Sequence, residues 1–429
     1  MSIFLPVLSI LVLVIGIPIG YWLGIVSIPG IWEMGGWPFM RILATRYHSA
    51  VEEFLLIAVP FFILSGELMN RAGLTDRLIR WVNQLLGHFA GGLSHVTIGA
   101  SIIFAGMTGA AVTDCVAIGN ILIPGMKRDG YPAPYAAAVT AAASIIGPII
   151  PPSIIMIVYG HLTGLSVITL FSAGFIPGLL MGVCLLAISA YLSVRNKFPK
   201  KEKRASLREI LHETGHAALA LLTPAIILGS ALSGVATVTE SAAVAVGYVI
   251  FVGMFVFKTL KLKDLIPTAL YTAKLTGVVF LLLATANIFG WYVTRLGIPE
   301  HVNNAIHVFT SNPYTILFLV NIFLLFVGMI MDILPATMIL IPVLAPAVIK
   351  AGVDPLHFAL VFMVNLNIGM ITPPYGMTLL TATRIAGCTY DASIKAVMPF
   401  LAAELTTLAL ITYFPWLILV LPKAFGLYG

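Results

Sequence analysis

Long apolar runs, each about the length of a membrane span, alternate with short polar breaks along this chain. Runs at about 3–27, 50–70, 166–194, 217–234, 237–258, 268–292 and 395–421 read as continuous transmembrane helices. Four further runs are interrupted. Those at about 135–160 and 356–383 each contain a Pro-Pro pair, and those at about 94–126 and 314–348 are broken near their middles. Two stretches, about 75–90 and 297–310, carry apolar residues at helical spacing with charges between them, which predicts helices lying at a membrane surface.

The two Pro-Pro breaks are copies of one another. Residues 147–153 read Gly-Pro-Ile-Ile-Pro-Pro-Ser, residues 369–376 read Gly-Met-Ile-Thr-Pro-Pro-Tyr-Gly, and Pro151 to Pro373 is a step of 222 residues. The same step pairs Gly106 with Gly328, Pro124 with Pro346, Gly130 with Gly352, Gly147 with Gly369 and Pro152 with Pro374. Glycine and proline matches carry the weight, because apolar matches arise by chance in so biased a composition. A Pro-Pro pair removes two backbone donors and breaks the helix ladder. In hydrocarbon the freed carbonyls must meet protein, water or an ion. Two helices broken at matching positions of two halves point to a transport site.

Composition makes the membrane assignment firm. Of 429 residues, 60% are hydrophobic and 9% charged, with a mean hydropathy of +1.05. The net charge of +6 resides in short loops, a positive-inside pattern that excludes a nucleic-acid groove. The most polar stretch, 195–208, is assigned to the cytoplasm and separates the two repeats. The expected organisation is a first repeat over 1–194, a basic cytoplasmic linker over 195–216 and a second repeat over 217–429. Five spans lie between Gly130 and its twin Gly352. An odd number puts the twins on opposite faces, so the repeats are inverted. If the runs at 94–126 and 314–348 crossed fully, the basic loops would fall on the wrong side. Each is therefore read as a re-entrant hairpin, the first opening to the cytoplasm and the second to the outside. Cys115, Cys184 and Cys388 fit no disulfide or zinc spacing. No phosphate-binding Gly-rich loop occurs, so an ion gradient is the expected energy source.

Chemistry is expected at the interruptions. Asp114 and Asp332 are acidic residues near the two hairpin tips, and an acid at membrane depth normally has a partner or a task. Capping of a hairpin arm is the structural alternative for Asp114. The Pro-Pro segments should present unwound carbonyls to a hard cation such as Na⁺, with hydroxyls from Thr108, Ser153 and Thr372. Helix N-termini after each break should attract an anionic substrate. Asn365 and Asn367 suit bonds to a neighbouring helix, and Thr239 with Glu240 suits a helix start. One motif competes: His212-Glu213-Thr214-Gly215-His216 matches the His-Glu-x-x-His pattern of zinc proteases. It lacks a third ligand, and Gly215 weakens its helix.

Several runs together resemble the large membrane subunit of tripartite ATP-independent periplasmic (TRAP) transporters, the DctM-like subunit. They are Gly-Met-Thr-Gly-Ala-Ala-Val-Thr-Asp at 106–114, Ile-Gly-Pro-Ile-Ile-Pro-Pro-Ser-Ile at 146–154, Phe-Phe-Ile-Leu-Ser-Gly-Glu-Leu-Met-Asn at 61–70 and Asn-Ile-Gly-Met-Ile-Thr-Pro-Pro-Tyr-Gly at 367–376. The resemblance covers nearly the whole chain. It implies an all-α polytopic elevator-type transporter of the bacterial inner membrane, not an enzyme, driven by Na⁺. Its cargo would be a small carboxylate: a C4-dicarboxylate, a sialic acid, or another sugar or keto acid. The implied partners are a small four-helix membrane subunit on a separate chain and a periplasmic substrate-binding protein. For Na⁺ the residues implied are Thr108, Gly109, Asp114, Gly147, Ile150, Pro151, Gly328, Asp332, Gly369, Thr372 and Pro373. For substrate they are Ala110, Ser153, Pro335, Ala336, Thr337, Thr372, Tyr375 and Gly376. The family's first tip usually reads Ser-Gly-Ser; here Thr108-Gly109-Ala110 retains one hydroxyl and loses the other. A carrier working alone, and an intramembrane zinc protease at His212, Glu213 and His216, are the competing readings.

Overall fold

A computed structural model describes residues 15–200, 206–310 and 312–429, without the side chains of 106–108, 207, 216 and 305–309. All regular structure among the described residues is helical. In the first half these helices are α1 (Ile19–Ser49), α2 (Ala58–Arg71), α3 (Leu74–Leu86), α4 (Gly92–Thr108), α5 (Ala111–Arg128), α6 (Ala133–Ser144), α7 (Ile154–Thr163) and α8 (Val167–Arg195). The second half comprises α9 (Leu207–Leu232), α10 (Val238–Phe251), α11 (Leu262–Arg295), α12 (Ile298–Phe309), α13 (Pro313–Ile330), α14 (Ile333–Lys350), α15 (Pro355–Gly369), α16 (Met377–Ala386), α17 (Tyr390–Tyr413) and α18 (Trp416–Ala424). Seven of the described helices are long and apolar enough to cross a bilayer, or eight if the bent α9 is one span.

The repeat governs this order. Amphipathic helix, hairpin of two arms, and broken helix recur as α3, α4–α5, α6–α7 and as α12, α13–α14, α15–α16. The starts of α5 and α14, and of α6 and α15, are 222 residues apart. Five spans separate the twins Gly130 and Gly352: α6 with α7, α8, α9, α10 and α11. The halves are therefore inverted.

Local chemistry sets the boundaries. In α3 the buried residues Leu74, Leu78, Ile79 and Val82 share one face, with Asp76, Arg77 and Arg80 between them. The first span differs from the expected 3–27: residues 3–14 lie outside the described ones, and α1 starts after Pro18 and runs on to Ser49 with a break at Gly35 and Gly36. Pro18 lacks a donor and suits a helix start. The last expected span, 395–421, is two helices, because Pro415 follows the end of α17 and cannot continue its ladder. Thr237, not Thr239, caps α10. Thr237 Oγ1 accepts from the Glu240 amide at 3.2 Å and Glu240 returns a bond to the Thr237 amide at 2.8 Å, since the reciprocal box needs a three-residue step. Thr239 donates instead to the Phe54 carbonyl at 3.2 Å.

The two broken helices form the centre of the molecule. Every residue of α15 from Leu356 to the helix end is buried, as is every residue of α6 from Tyr135 on. Apolar residues on all sides mark a helix enclosed by others. Alanine at 136, 137, 138, 141, 142 and 143 lets neighbours approach α6 closely. Packing between halves is reciprocal: α16 lies against α5 and α6, and α7 lies against α14. Lys127 Nζ seals one crossing by donating to the Ala386 carbonyl at 2.7 Å. Around this centre α1 packs along α11, and α2 against α10 and α11.

Candidate functional site

Each hairpin tip is a two-residue turn, tighter than the interruption in the sequence suggests, and each rests on the break of its own half. The first turn is Gly109, at φ +62°, followed by extended Ala110. A Cβ on Gly109 would stand 3.0 Å from Ile154 N and 3.3 Å from the Pro152 carbonyl oxygen. The second turn is Met331 and Asp332, both extended. Just before it, Gly328 lies against Leu366 and Gly369 with only backbone between them. A hairpin tip that meets a span at its break sits near that span's mid-depth, as a re-entrant segment does.

The two carboxylates do different things. Asp332 is the N-cap of α14, its Oδ1 accepting from the Ile333 amide at 2.6 Å. Asp114 is not a cap: Ala110 occupies that position, and Asp114 sits fully buried in the first turn of α5. Its carboxylate lies against Gly147, where any Cβ would collide with it. At the 222-residue step Asp114 matches Ala336 and Asp332 matches Ala110. The two halves therefore place their acids on different turns of equivalent helices.

The breaks leave backbone groups unspent. Among the described residues no hydrogen-bond donor meets the carbonyls of Gly147, Ile149, Ile150, Pro151 or Pro152, nor those of Ile371, Thr372, Pro373 or Pro374. Both Pro-Pro bonds are cis. The side-chain hydroxyls, in contrast, give their protons to nearby carbonyls and keep oxygen lone pairs. Ser153 caps α7 and donates to the Pro148 carbonyl at 2.6 Å. Thr372 donates to Ile368 at 2.7 Å, and Thr337 to Ile333 at 2.7 Å. The Thr108 side chain lies outside the described residues. Asn365 bonds Asn321 of α13, at 2.9 and 2.8 Å, while Asn367 bonds its own helix at Met363.

Both tips border one cavity of about 550 Å³. Ala110 and Thr113 of α5, Ile154 of α7, and Asp332, Leu334 and Pro335 of α14 form its central wall. Three helix N-termini thus converge on one space; Asp332 already caps α14, and the first-turn amides of α5 and α7 favour negative charge there. The opposite wall is Tyr21 of α1, Glu67 and Asn70 of α2, and Tyr271 to Leu282 of α11. Of the expected substrate residues, Ala110 and Pro335 reach this cavity. Ser153, Ala336 and Thr337 are buried, and Thr372, Tyr375 and Gly376 are not on its wall. Glu67 and Asn70 escaped the sequence reading. Glu67 holds Arg71 Nε at 3.1 Å, and Asn70 accepts from Thr75 at 2.6 Å. An acid inside the apolar run of α2 was the available signal.

The His-Glu-x-x-His segment lies on α9 where it packs on α3. Glu213 faces Arg80 at 4.0 Å, and Thr214 accepts from Trp81 Nε1 at 2.9 Å. The His216 side chain lies outside the described residues. Among those described, no three of His, Cys, Asp and Glu are grouped to hold a metal ion.

Residues 7–417 match the family model "Tripartite ATP-independent periplasmic transporter, DctM component". The chain is 38% identical over 390 residues to the sialic acid TRAP transporter large permease protein SiaM of Vibrio cholerae, covering 91% of each. It is 37% identical over 388 residues to the C4-dicarboxylate TRAP transporter large permease protein DctM of Pseudomonas aeruginosa, covering 90% of this chain and 91% of that one. The crystal structure of the Alcanivorax borkumensis YdaH transporter shares the fold, with a TM-score of 0.62 at 14% identity over 90% of this chain and 91% of that one.

Proposed function

Since the chain belongs to the DctM component family of tripartite ATP-independent periplasmic transporters, we propose that it imports a small carboxylate on a Na⁺ gradient by an elevator motion. It is a multi-pass protein of the bacterial inner membrane, a secondary transporter permease for small anionic solutes and not an enzyme. The carboxylate, the ion and the motion are our reading. The observation that carries it is the convergence of three helix N-termini, at Ala110, Ile154 and Asp332, on one cavity. A carboxylate placed between Ala110 and Pro335 would meet unspent amides of α5 and α7. The relatives named for sialic acid and C4-dicarboxylate transport support a carboxylate cargo.

Na⁺ would be held where tip and break touch. One site uses Gly109 and Asp114 with Gly147, Ile150 and Pro151, and Thr108 beside them. The other uses Gly328 and Asp332 with Gly369, Thr372 and Pro373. Unspent carbonyls and a carboxylate are the oxygen donors a hard cation takes. Filling both sites would tie each tip to its break, so that the hairpins and broken helices move as one body past α1, α2, α10 and α11. In this reading residues 1–194 and 217–429 are the two repeats and 195–216 their linker. A small four-helix subunit and a periplasmic substrate-binding protein complete the system.

Uptake of labelled carboxylates into proteoliposomes, with the small subunit, tests this reading. Uptake that needs both an inward Na⁺ gradient and the binding protein is expected. Uptake without the binding protein would identify a carrier working alone, and uptake indifferent to Na⁺ would remove the ion sites.

A further inference from the structure

Three arginines gather where the charge rule for membrane proteins disfavours them. α1, α7, α11 and α14 all end on the face opposite the basic cytoplasmic loops, a face normally poor in Lys and Arg. There Arg41 and Arg46 of α1 and Arg295 of α11 border a pocket of about 360 Å³ together with Trp291. No acidic side chain lines it. The described ion pairs of this protein lie elsewhere, at His48–Glu52, Arg71–Glu67, Arg80–Glu213 and His212–Glu213. The Arg295 guanidinium stands 5.7 Å over the Trp291 ring, which holds its fork in place.

The pocket continues inward. Arg46 and Trp291 also border a neighbouring cleft of about 480 Å³. Its far wall is Thr163, at the end of α7, and Ile341 and Pro342 of α14. This cleft is the outer seam between α11 and the hairpin, and it follows α11 toward the stretch that ends at Leu282 on the tip cavity. Leu282 to Arg295 is roughly 20 Å along a helix. The inner seam, between α11 and α5, is bordered instead by Glu67 and Asp76. The outer pocket is therefore lined by three guanidinium groups, whereas the inner one is lined by Asp76 and by Glu67, which is paired with Arg71.

We propose that Arg41, Arg46 and Arg295 form an oxyanion-binding site at the outer mouth of the seam that leads to the hairpin tips. It rests on the reading that the cargo is a carboxylate. Guanidinium forks match carboxylate and phosphate oxygens in pairs, and three positive charges at a cleft concentrate anions there at low salt. The same forks fit a phospholipid phosphate, which is the second source of the same chemistry.

Equilibrium dialysis decides the matter. The purified protein in phosphatidylcholine nanodiscs, in sodium-free buffer, is titrated with radiolabelled succinate and with inorganic phosphate. Saturable binding that weakens with salt is expected, about tenfold weaker in Arg46→Gln, partly restored in Arg46→Lys, and unchanged in Gly247→Ala, whose Cβ position has nothing within 4 Å. Nanodiscs containing phosphatidylglycerol separate the sources. Loss of succinate binding there assigns the site to lipid phosphate, and retention assigns it to a soluble anion; both support an oxyanion site. Wild-type affinity in both Arg46→Gln and Arg295→Gln, or no saturable binding of either probe, overturns it. Because binding is read without transport, failure of the uptake reading would show separately, as dialysis binding without uptake.

Discussion

Gly369→Ala tests the contact on which the second ion site is built. A Cβ at position 369 would stand 2.5 Å from both the Cα and the carbonyl carbon of Gly328, and 3.0 Å from Met329 N. Carbon atoms in contact prefer about 3.5–4 Å, so tip and break must separate by about 1 Å. All three obstructing atoms are backbone, and no side chain can turn aside to relieve them. Overpacking of this kind costs about 1–3 kcal/mol, which a protein of this size survives with a lowered melting temperature. The functional cost is larger, because an error of about 1 Å in a site of fixed geometry can cost about a hundredfold in rate. The assay is Na⁺-driven uptake in proteoliposomes beside thermal unfolding of the same preparation. Gly247→Ala in α10 is the control. Nothing lies within 4 Å of its Cβ position, and a mid-helix alanine should stabilise by about 0.5–1 kcal/mol with uptake intact. Wild-type uptake and Na⁺ dependence in Gly369→Ala would refute the idea that this backbone approach defines the site.

Other consequences are open to measurement. Asp332→Asn retains an oxygen to cap α14, so its melting temperature should fall by little while half-maximal uptake requires more Na⁺; an unchanged Na⁺ titration would remove Asp332 from the site. Ser153→Ala removes the α7 cap and should cost about 1 kcal/mol, read by thermal unfolding, and a neutral result would show that the Pro148 and Met156 bonds carry no net stability. Glu404 is fully buried on α17 with no hydrogen-bond partner for either oxygen among the described residues. Its amide isostere, Glu404→Gln, is therefore expected to melt at or above wild type, whereas a loss of about 3 kcal/mol would reveal a buried ion partner. Neither His212→Ala nor a chelator added to the wild type should lower uptake; loss of uptake in both would return a metal to the account.

The sequence alone determined the architecture to an unusual depth, and for a physical reason. Glycine and proline act through the backbone, so their positions at Gly147, Pro151, Gly369 and Pro373 specify where a helix must unwind whatever surrounds it. A bilayer forbids unwound backbone without partners, which turns such a pattern into a site. The inverted repeats, the amphipathic helices and the hairpins were legible on that basis. Boundaries were less so: the extent of α1 and the split at Pro415 depended on where single glycines and prolines could be absorbed.

Tertiary structure decided the rest. Asp114 and Asp332 look alike as acids near the tips of two repeats, yet one lies buried against Gly147 and the other caps a helix. That difference comes from which turn faces the break, and linear spacing does not state it. The hydroxyl protons of Ser153, Thr337 and Thr372 go to the carbonyls of Pro148, Ile333 and Ile368, an orientation that only the folded backbone fixes. The cavity wall could not be foreseen either. Glu67, Tyr271 and Leu282 reach the tips only because α2 and α11 pack beside them, and such contacts follow from helix packing across hundreds of residues. The arginine pocket has the same origin, since Arg46 and Arg295 are distant in the chain and become neighbours only when α1 lies along α11.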